Sequence, residues 1–225
     1  MHRITPPRAL VGGSSYPRPG EISLAHNGVL FLDEQEFNRH VLEVLREPLE
    51  AGQIVVSRAA RQAEFPARFQ LIAAMNLCPC VMTWAMLPAA TARIFGLLLD
   101  RIGLYVEVPR PPREVLRPDS SADGEFSHAI AARVAAAHLR QLARSGKCNA
   151  RLTTREVNHH RIPETAGRQL LERAMERLGL SARGYHRVLK VAGRIADLTD
   201  SDTILNAHIA EAIVYRVLDR KTAAA

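Results

Sequence analysis

The stretch Gly28-Val-Leu-Phe-Leu-Asp33-Glu34 decides the fold. Val29 to Leu32 form a short apolar run bounded by glycine and acid, the pattern of a strand buried in a parallel sheet. Such a strand brings its two carboxylates out at the C-terminal end, where α/β sheets bind ligands. In nucleotide hydrolases the first acid of such a pair helps hold Mg²⁺, and the second can orient or activate water. Asp and Glu also suit the first turn of a helix, so a core strand running into a solvated helix gives the same residues. The residues alone leave both readings open.

On the C-terminal side, Phe37, Val41, Val44 and Leu45 recur at helical spacing, and this helix should end near Pro48 to Gly52. Two strand-like runs follow, Gln53 to Ser57 and Arg68 to Met75, and the turn-like residues Ala59 to Pro66 make a hairpin-like excursion between them. Leu104 to Val108 reads as a last short strand before Pro109, Pro111 and Pro112. On the N-terminal side, residues 1–23 are rich in Gly, Pro and Arg and read as loop.

Beyond a Pro-, Asp- and Ser-rich stretch the pattern is helical throughout. Ile130, Val134, Ala137 and Leu142 mark one helix; Leu170, Leu171, Ala174 and Leu178 mark a second, closed by Gly179. Ser181 can cap a third, with the stripe Val188, Val191, Ala192 and Ile195, and Ile204, Ile209, Ile213 and Val217 mark a fourth. The expected organisation is an α/β part over residues 1–115, a linker over 116–126 and a helical module over 127–225.

A formal charge of +7 favours anionic partners, whether nucleic acid, nucleotide phosphates or acidic protein surfaces. Three cysteines make no disulfide framework and fit a reducing cytoplasm. The N-terminus carries no signal-like apolar core, and the most membrane-like stretch, Val81 to Leu99, is interrupted by Pro88, Thr91 and Arg93. A membrane role is not expected. Arg133, Arg140, Arg144, Lys147 and Arg151 gather around one helix end, where a solvated face is the favoured reading.

Ala9-Leu-Val-Gly-Gly13, the run from Pro17 to Glu34, Val41 to Glu50 and Phe65 to Leu71 together resemble the magnesium-chelatase-like AAA+ family, nearest to its ComM/YifB-like branch. The resemblance continues through Ala73-Ala-Met-Asn76, Leu98 to Ile102, Gly179 to Lys190 and His208 to Ile213. It implies an AAA+ nucleotide-binding core of the P-loop type followed by an all-helical lid. It also implies roles. Asp33 and Glu34 are expected to be the Walker B pair, with Asp33 holding Mg²⁺ through the nucleotide. Asn76 is expected to be the sensor on the γ-phosphate or attacking water, and Arg101 an arginine finger acting on a neighbouring subunit's nucleotide. Arg183 is expected to be the second sensor, on the lid. The implied cofactor is Mg-ATP, the implied assembly a homo-oligomeric ring, and the implied activity ATP hydrolysis coupled to DNA remodelling such as branch migration. Arg58, Arg61 and Arg68, around the hairpin, are the residues expected to touch DNA.

The chain departs from the family pattern in three places. No Gly-x-x-x-x-Gly-Lys-[Ser/Thr] occurs in its 225 residues, so the core is expected to be incomplete, an N-terminally truncated form that alone hydrolyses no ATP at a useful rate. After Glu34 the usual Leu-Pro-Glu-Phe is one residue shorter, as Gln35-Glu36-Phe37. Cys78 and Cys80 stand where the family carries more cysteines, and two thiolates make no closed zinc site, so no zinc is expected. His159-His160 reads as a solvated turn. The alternatives are an ATPase subunit of a metal chelatase and a non-catalytic remnant that only assembles with intact subunits or binds DNA.

Overall fold

Val29–Leu32 forms strand β1, with Leu30 and Leu32 buried and Val29 and Phe31 exposed. It pairs in parallel with β4, Gln70–Ala73, in the register Val29↔Gln70 to Leu32↔Ala73. A computed structural model describes residues 7–13, 17–33, 39–58, 61–74, 101–109 and 124–216. They fall into two units, within residues 1–102 and within residues 103–224.

In the first unit the β1–β4 register is set before either strand begins. Asn27, at a φ of 60°, donates its N–H to the Arg68 carbonyl at 2.6 Å, and the Gln70 N–H reaches the Gly28 carbonyl at 2.9 Å. Asn tolerates this left-handed conformation better than most residues, which is why the chain can turn there. Helices α1 (Pro7–Val11) and α2 (Glu21–Leu24) bury Leu10 and Ile22, as β1 buries Leu32. Between them, Gly12 and Gly20 let two backbones meet. A Cβ on Gly20 would lie 2.3 Å from the Gly12 nitrogen, a distance no side chain can occupy.

The helix expected after Asp33 is two short ones, α3 (Arg39–Val44) and α4 (Arg46–Ala51). Pro48 is tolerated in the first turn of α4, and Gly52, left-handed at a φ of 71°, ends it. β2 (Gln53–Arg58) then pairs antiparallel with β3 (Arg61–Pro66). Residues 61–66, expected to be turn material, are therefore a strand. Gln62-Ala63-Glu64-Phe65 alternates with period two and places Ala63 and Phe65 opposite the buried Val56 and Ile54. The next strand is shorter than Arg68 to Met75, since β4 covers only Gln70–Ala73.

Leu104 to Val108 is not a strand. Val106 and Val108 are exposed, and the segment is tied by the Tyr105 N–H to the Tyr215 carbonyl at 3.0 Å, with the Arg216 guanidinium 5.5 Å from the Tyr105 ring centre. This segment belongs to the second unit rather than to the sheet.

The second unit is helical: α5 (Ser127–Ser145), a 3₁₀ turn (Asn149–Arg151), α6 (Thr154–His160), α7 (Thr165–Leu178), α8 (Ala182–Leu198) and α9 (Asn206–Val214). α8 is its axis. Val188, Val191, Ala192 and Ile195 face Leu171, Ala174, Leu178, Ile209 and Ala212 in one core. Gly179 ends α7 in the left-handed region, and the Ser181 hydroxyl caps α8 by accepting the Gly184 N–H at 3.1 Å, both as the sequence leads one to expect. α5 differs. Its expected stripe of Ile130, Val134 and Leu142 is exposed, and α5 buries only Ala137 and Gln141. α6 went unexpected although its Thr153-x-x-Glu156 capping box is legible; His159 and His160 form its last turn.

Candidate functional site

Asp33 follows directly on Leu32, whose side chain is buried, and its own residue is exposed at the C-terminal end of β1. The parallel pairing continues one step past the strand, where the Ala74 N–H donates to the Leu32 carbonyl at 2.9 Å. β1 and β4 thus end side by side, pointing the same way. Glu34 and Asn76, the expected partners of Asp33, lie outside the described residues, as do Cys78 and Cys80.

Arg101 is described, and it is engaged. Its Nη2 donates to the Glu50 Oε1 at 2.5 Å, with the arginine side chain 7% exposed and the glutamate 48%. Glu50 belongs to the last turn of α4, two residues before Gly52. Nothing in the sequence pointed to Glu50, because its partner is 51 residues away and neither residue interrupts a periodic pattern.

The three arginines around the hairpin do not share one location. Arg58 and Arg61 are paired residues at its tip, whereas Arg68 follows its base, where Gln53 faces Pro66. Six-residue strands at about 3.3 Å per residue separate tip from base by about 15 Å or more. Arg68 also has a structural task. Its N–H donates to His26 Nδ1 at 3.1 Å, its carbonyl accepts from Asn27, and its stem passes over Gly52, where a Cβ would stand 2.9 Å from Arg68 Cγ.

Arg183 lies in the first turn of α8, exposed, two residues past the Ser181 cap. Four of the five basic residues at the α5 end pair with acids, three of them on the exposed face favoured from the sequence, while Arg144 reaches the buried Asp197. Arg133 makes a bidentate pair with Glu125 at 2.8 and 3.0 Å, Lys147 meets Glu156 at 2.6 Å, and Arg140 pairs with Asp200. Arg144 donates to both oxygens of Asp197, at 2.8 and 3.1 Å. Asp197, 1% exposed, also accepts from Arg161 and from the Asn149 amide, each at 2.8 Å. An acid so near the apolar stripe of α8 was the readable sign of a buried partner.

Two groups in this unit are electrostatically displaced. The Lys147 ammonium, with help from Thr153, holds the Glu156 carboxyl at about 2. Burial pushes the Lys190 ammonium below its usual value, reinforced by Arg187 and Arg194. Among the described residues no group of three or more His, Cys, Asp or Glu side chains is placed to hold a metal ion, and no helix is long and apolar enough to cross a membrane.

Two family descriptions match the chain: "Magnesium chelatase, subunit ChlI" over residues 1–116 and "Magnesium chelatase, subunit ChlI C-terminal" over residues 124–216. The uncharacterized protein YifB of Salmonella typhimurium is 45% identical over 94% of this chain and 44% of its own length. The competence protein ComM of Haemophilus influenzae is 44% identical over 94% of this chain and 43% of its own. The magnesium-chelatase 38 kDa subunit of Cereibacter sphaeroides is 33% identical over only 48% of this chain. The chain thus spans less than half the length of the curated relatives it matches along most of its own. It belongs to the magnesium-chelatase ChlI family and is a ComM/YifB-like member of it.

Proposed function

We propose that this chain supplies the acid, sensor and arginine elements of an AAA+ ATPase that works on DNA as a ring of subunits in the cytoplasm. The observation that carries the reading is the parallel β1–β4 pair. It sends Asp33 out of one strand beside the strand that leads, three residues on, to Asn76. An exposed carboxylate at such a strand end fits an outer-sphere or direct contact to a nucleotide-bound Mg²⁺.

In this reading Asp33 holds the metal of Mg-ATP, which supplies charge neutralisation on the phosphates. Glu34 orients the attacking water, and Asn76 fixes that water or the γ-phosphate. Arg101 serves the nucleotide of the adjacent subunit, and Arg183 reports its presence to the helical unit. The chain has no Gly-x-x-x-x-Gly-Lys-[Ser/Thr], so the backbone N–H cradle for the β- and γ-phosphates must come from outside these residues. Arg58 and Arg61 at the hairpin tip are the proposed contacts to the DNA backbone, with Arg68 supporting the hairpin base. The ComM-like relatives, matched along 94% of this chain, favour this reading over a chelatase subunit, matched along 48%.

Association with an intact ComM-like relative tests it. Affinity-tagged chain should retain the relative when Mg-ATP and forked DNA are present. Failure to retain it under any nucleotide condition would remove the ring from the account.

A further inference from the structure

We infer that α8 carries a nucleic-acid track, in which Arg187, Lys190 and Arg194 form one line of positive charge along the phosphates of a DNA strand. The inference deepens the reading of the chain as one that works on DNA, and it adds a contact separate from the hairpin tip.

At about 100° per residue these three positions, with Arg183 at the head of the same line, fall within about 60° of one another around the helix. Arg183 is exposed and the other three are partly exposed, while Val188, Ala192 and Ile195 belong to the core. The line is unmixed. Asp197 is the one acid among the 17 residues of α8, and it is buried and bound to Arg144, Arg161 and Asn149. On α7, by contrast, the exposed Arg173 and Arg177 sit among the exposed Glu172 and Glu176, as on an ordinary solvated helix.

Helix stability does not favour this arrangement. α8 has no acid in its first turn and no base in its last, the reverse of what the macrodipole favours, whereas α7 ends with Arg177 in its last turn. The Lys190 ammonium donates to the Ala150 carbonyl at 3.3 Å and is crowded by the charges of Arg187 and Arg194. Glu156 offsets them in part, but it is already held by Lys147 and Thr153. An anion laid along the line relieves that crowding. Arg187 to Arg194 is a step of seven residues, about 10 Å of helix. A DNA strand advances about 3.4 Å per phosphate in a duplex, so about three phosphates cover the same length. Bases that serve a single phosphate converge on one point; these are strung along a line.

Binding of a fluorescein-labelled oligothymidine to the whole chain, read by anisotropy over a range of salt concentrations, tests the track. Each phosphate neutralised on a single strand contributes about 0.7 to the slope of log affinity against log salt. Arg187→Gln, Lys190→Gln and Arg194→Gln together should therefore reduce the slope by about two. Arg168→Gln, Arg173→Gln and Arg177→Gln, on α7, remove the same charge and should leave the slope nearly unchanged. Arg187→Lys with Arg194→Lys keeps the charge and should keep the slope, and circular dichroism should show all three variants folded.

Equal losses of slope in the α7 and α8 glutamine variants would mean that net charge alone is at work and would overturn the track. An unchanged slope in the α8 variant would overturn it too. In that case a reduced slope for Arg58→Ala with Arg61→Ala would leave the DNA reading standing without α8, whereas no binding by wild-type chain would remove both. Unlabelled strand should compete far better, charge for charge, than Mg-ATP or poly-glutamate. Equal competition by either would give this face to a nucleotide or to an acidic protein and sink the inference.

Discussion

The Arg161 Nη2 lies 2.8 Å from the Asp197 Oδ2, and both side chains are all but completely buried. Asn149 and Arg144 complete the set around the same carboxylate, so one residue of α8 ties α5, the 3₁₀ turn and the end of α6 to the axis of the helical unit. Removing the acid leaves two guanidinium groups without their counter-charge. Asp197→Ala should therefore destabilise this unit by about 3–5 kcal/mol. Arg133→Ala, which breaks an exposed pair, should cost about 1 kcal/mol or less. Urea unfolding of the two variants, followed by helical circular dichroism, measures the contrast.

The same network explains a glycine. A Cβ at Gly193 would stand 2.7 Å from Arg161 Nε, so Gly193→Ala should push the arginine out of its slot and cost about 1–3 kcal/mol, despite the better helix propensity of alanine. Wild-type or higher stability for Gly193→Ala would show that the slot has slack.

Glu156 gives the helical unit an acid sensitivity of known sign. Its folded value, about 2, is below its ordinary value of 4.5, so its contribution is present above the ordinary value and is lost as pH falls from there through the folded one. Glu156→Gln should flatten the stability profile in that window, and high salt, which screens the Lys147 contact, should do so in part. Denaturant midpoints between pH 2 and pH 6 make the comparison.

Much of the molecule was legible because it rests on local chemistry. The apolar run before Asp33, the left-handed Gly52 and Gly179 and the Ser181 cap each depend on residues within a few positions. What escaped depends on partners far along the chain. The hairpin was half seen, because Ala63 and Phe65 become strand residues only when they find Val56 and Ile54. α5 differs from its expected stripe because its most apolar positions are not the ones it buries: Ala137 is covered and Gln141 accepts the Asn149 N–H, while Val134 stays outside. The basic cluster lies largely on the exposed face that its charges suggest; what its spacing does not show is that Arg144 turns to the buried Asp197, 53 residues on. At the candidate site, the link between Arg101 and Glu50 was not legible, since a contact across 51 residues leaves no periodic trace.

DNA binding at the hairpin should separate its tip from its base. Arg58→Ala with Arg61→Ala should weaken binding of forked DNA and reduce the slope of log affinity against log salt by about one for each phosphate that is no longer neutralised. Arg68→Ala should leave that slope nearly unchanged and instead lower stability, because its stem covers Gly52. Equal slope changes for tip and base would place the DNA along the whole hairpin.

The most direct measurement is catalytic complementation. A ComM-like relative that keeps its own phosphate loop, but whose arginine at the position matching Arg101 is changed to alanine, is mixed with this chain, and ATP turnover is measured with forked DNA. The account predicts that wild-type chain restores turnover by about tenfold or more, a fraction of the ~10³-fold that such arginines contribute, and that Arg101→Ala chain restores none. Equal turnover with the two chains would contradict it.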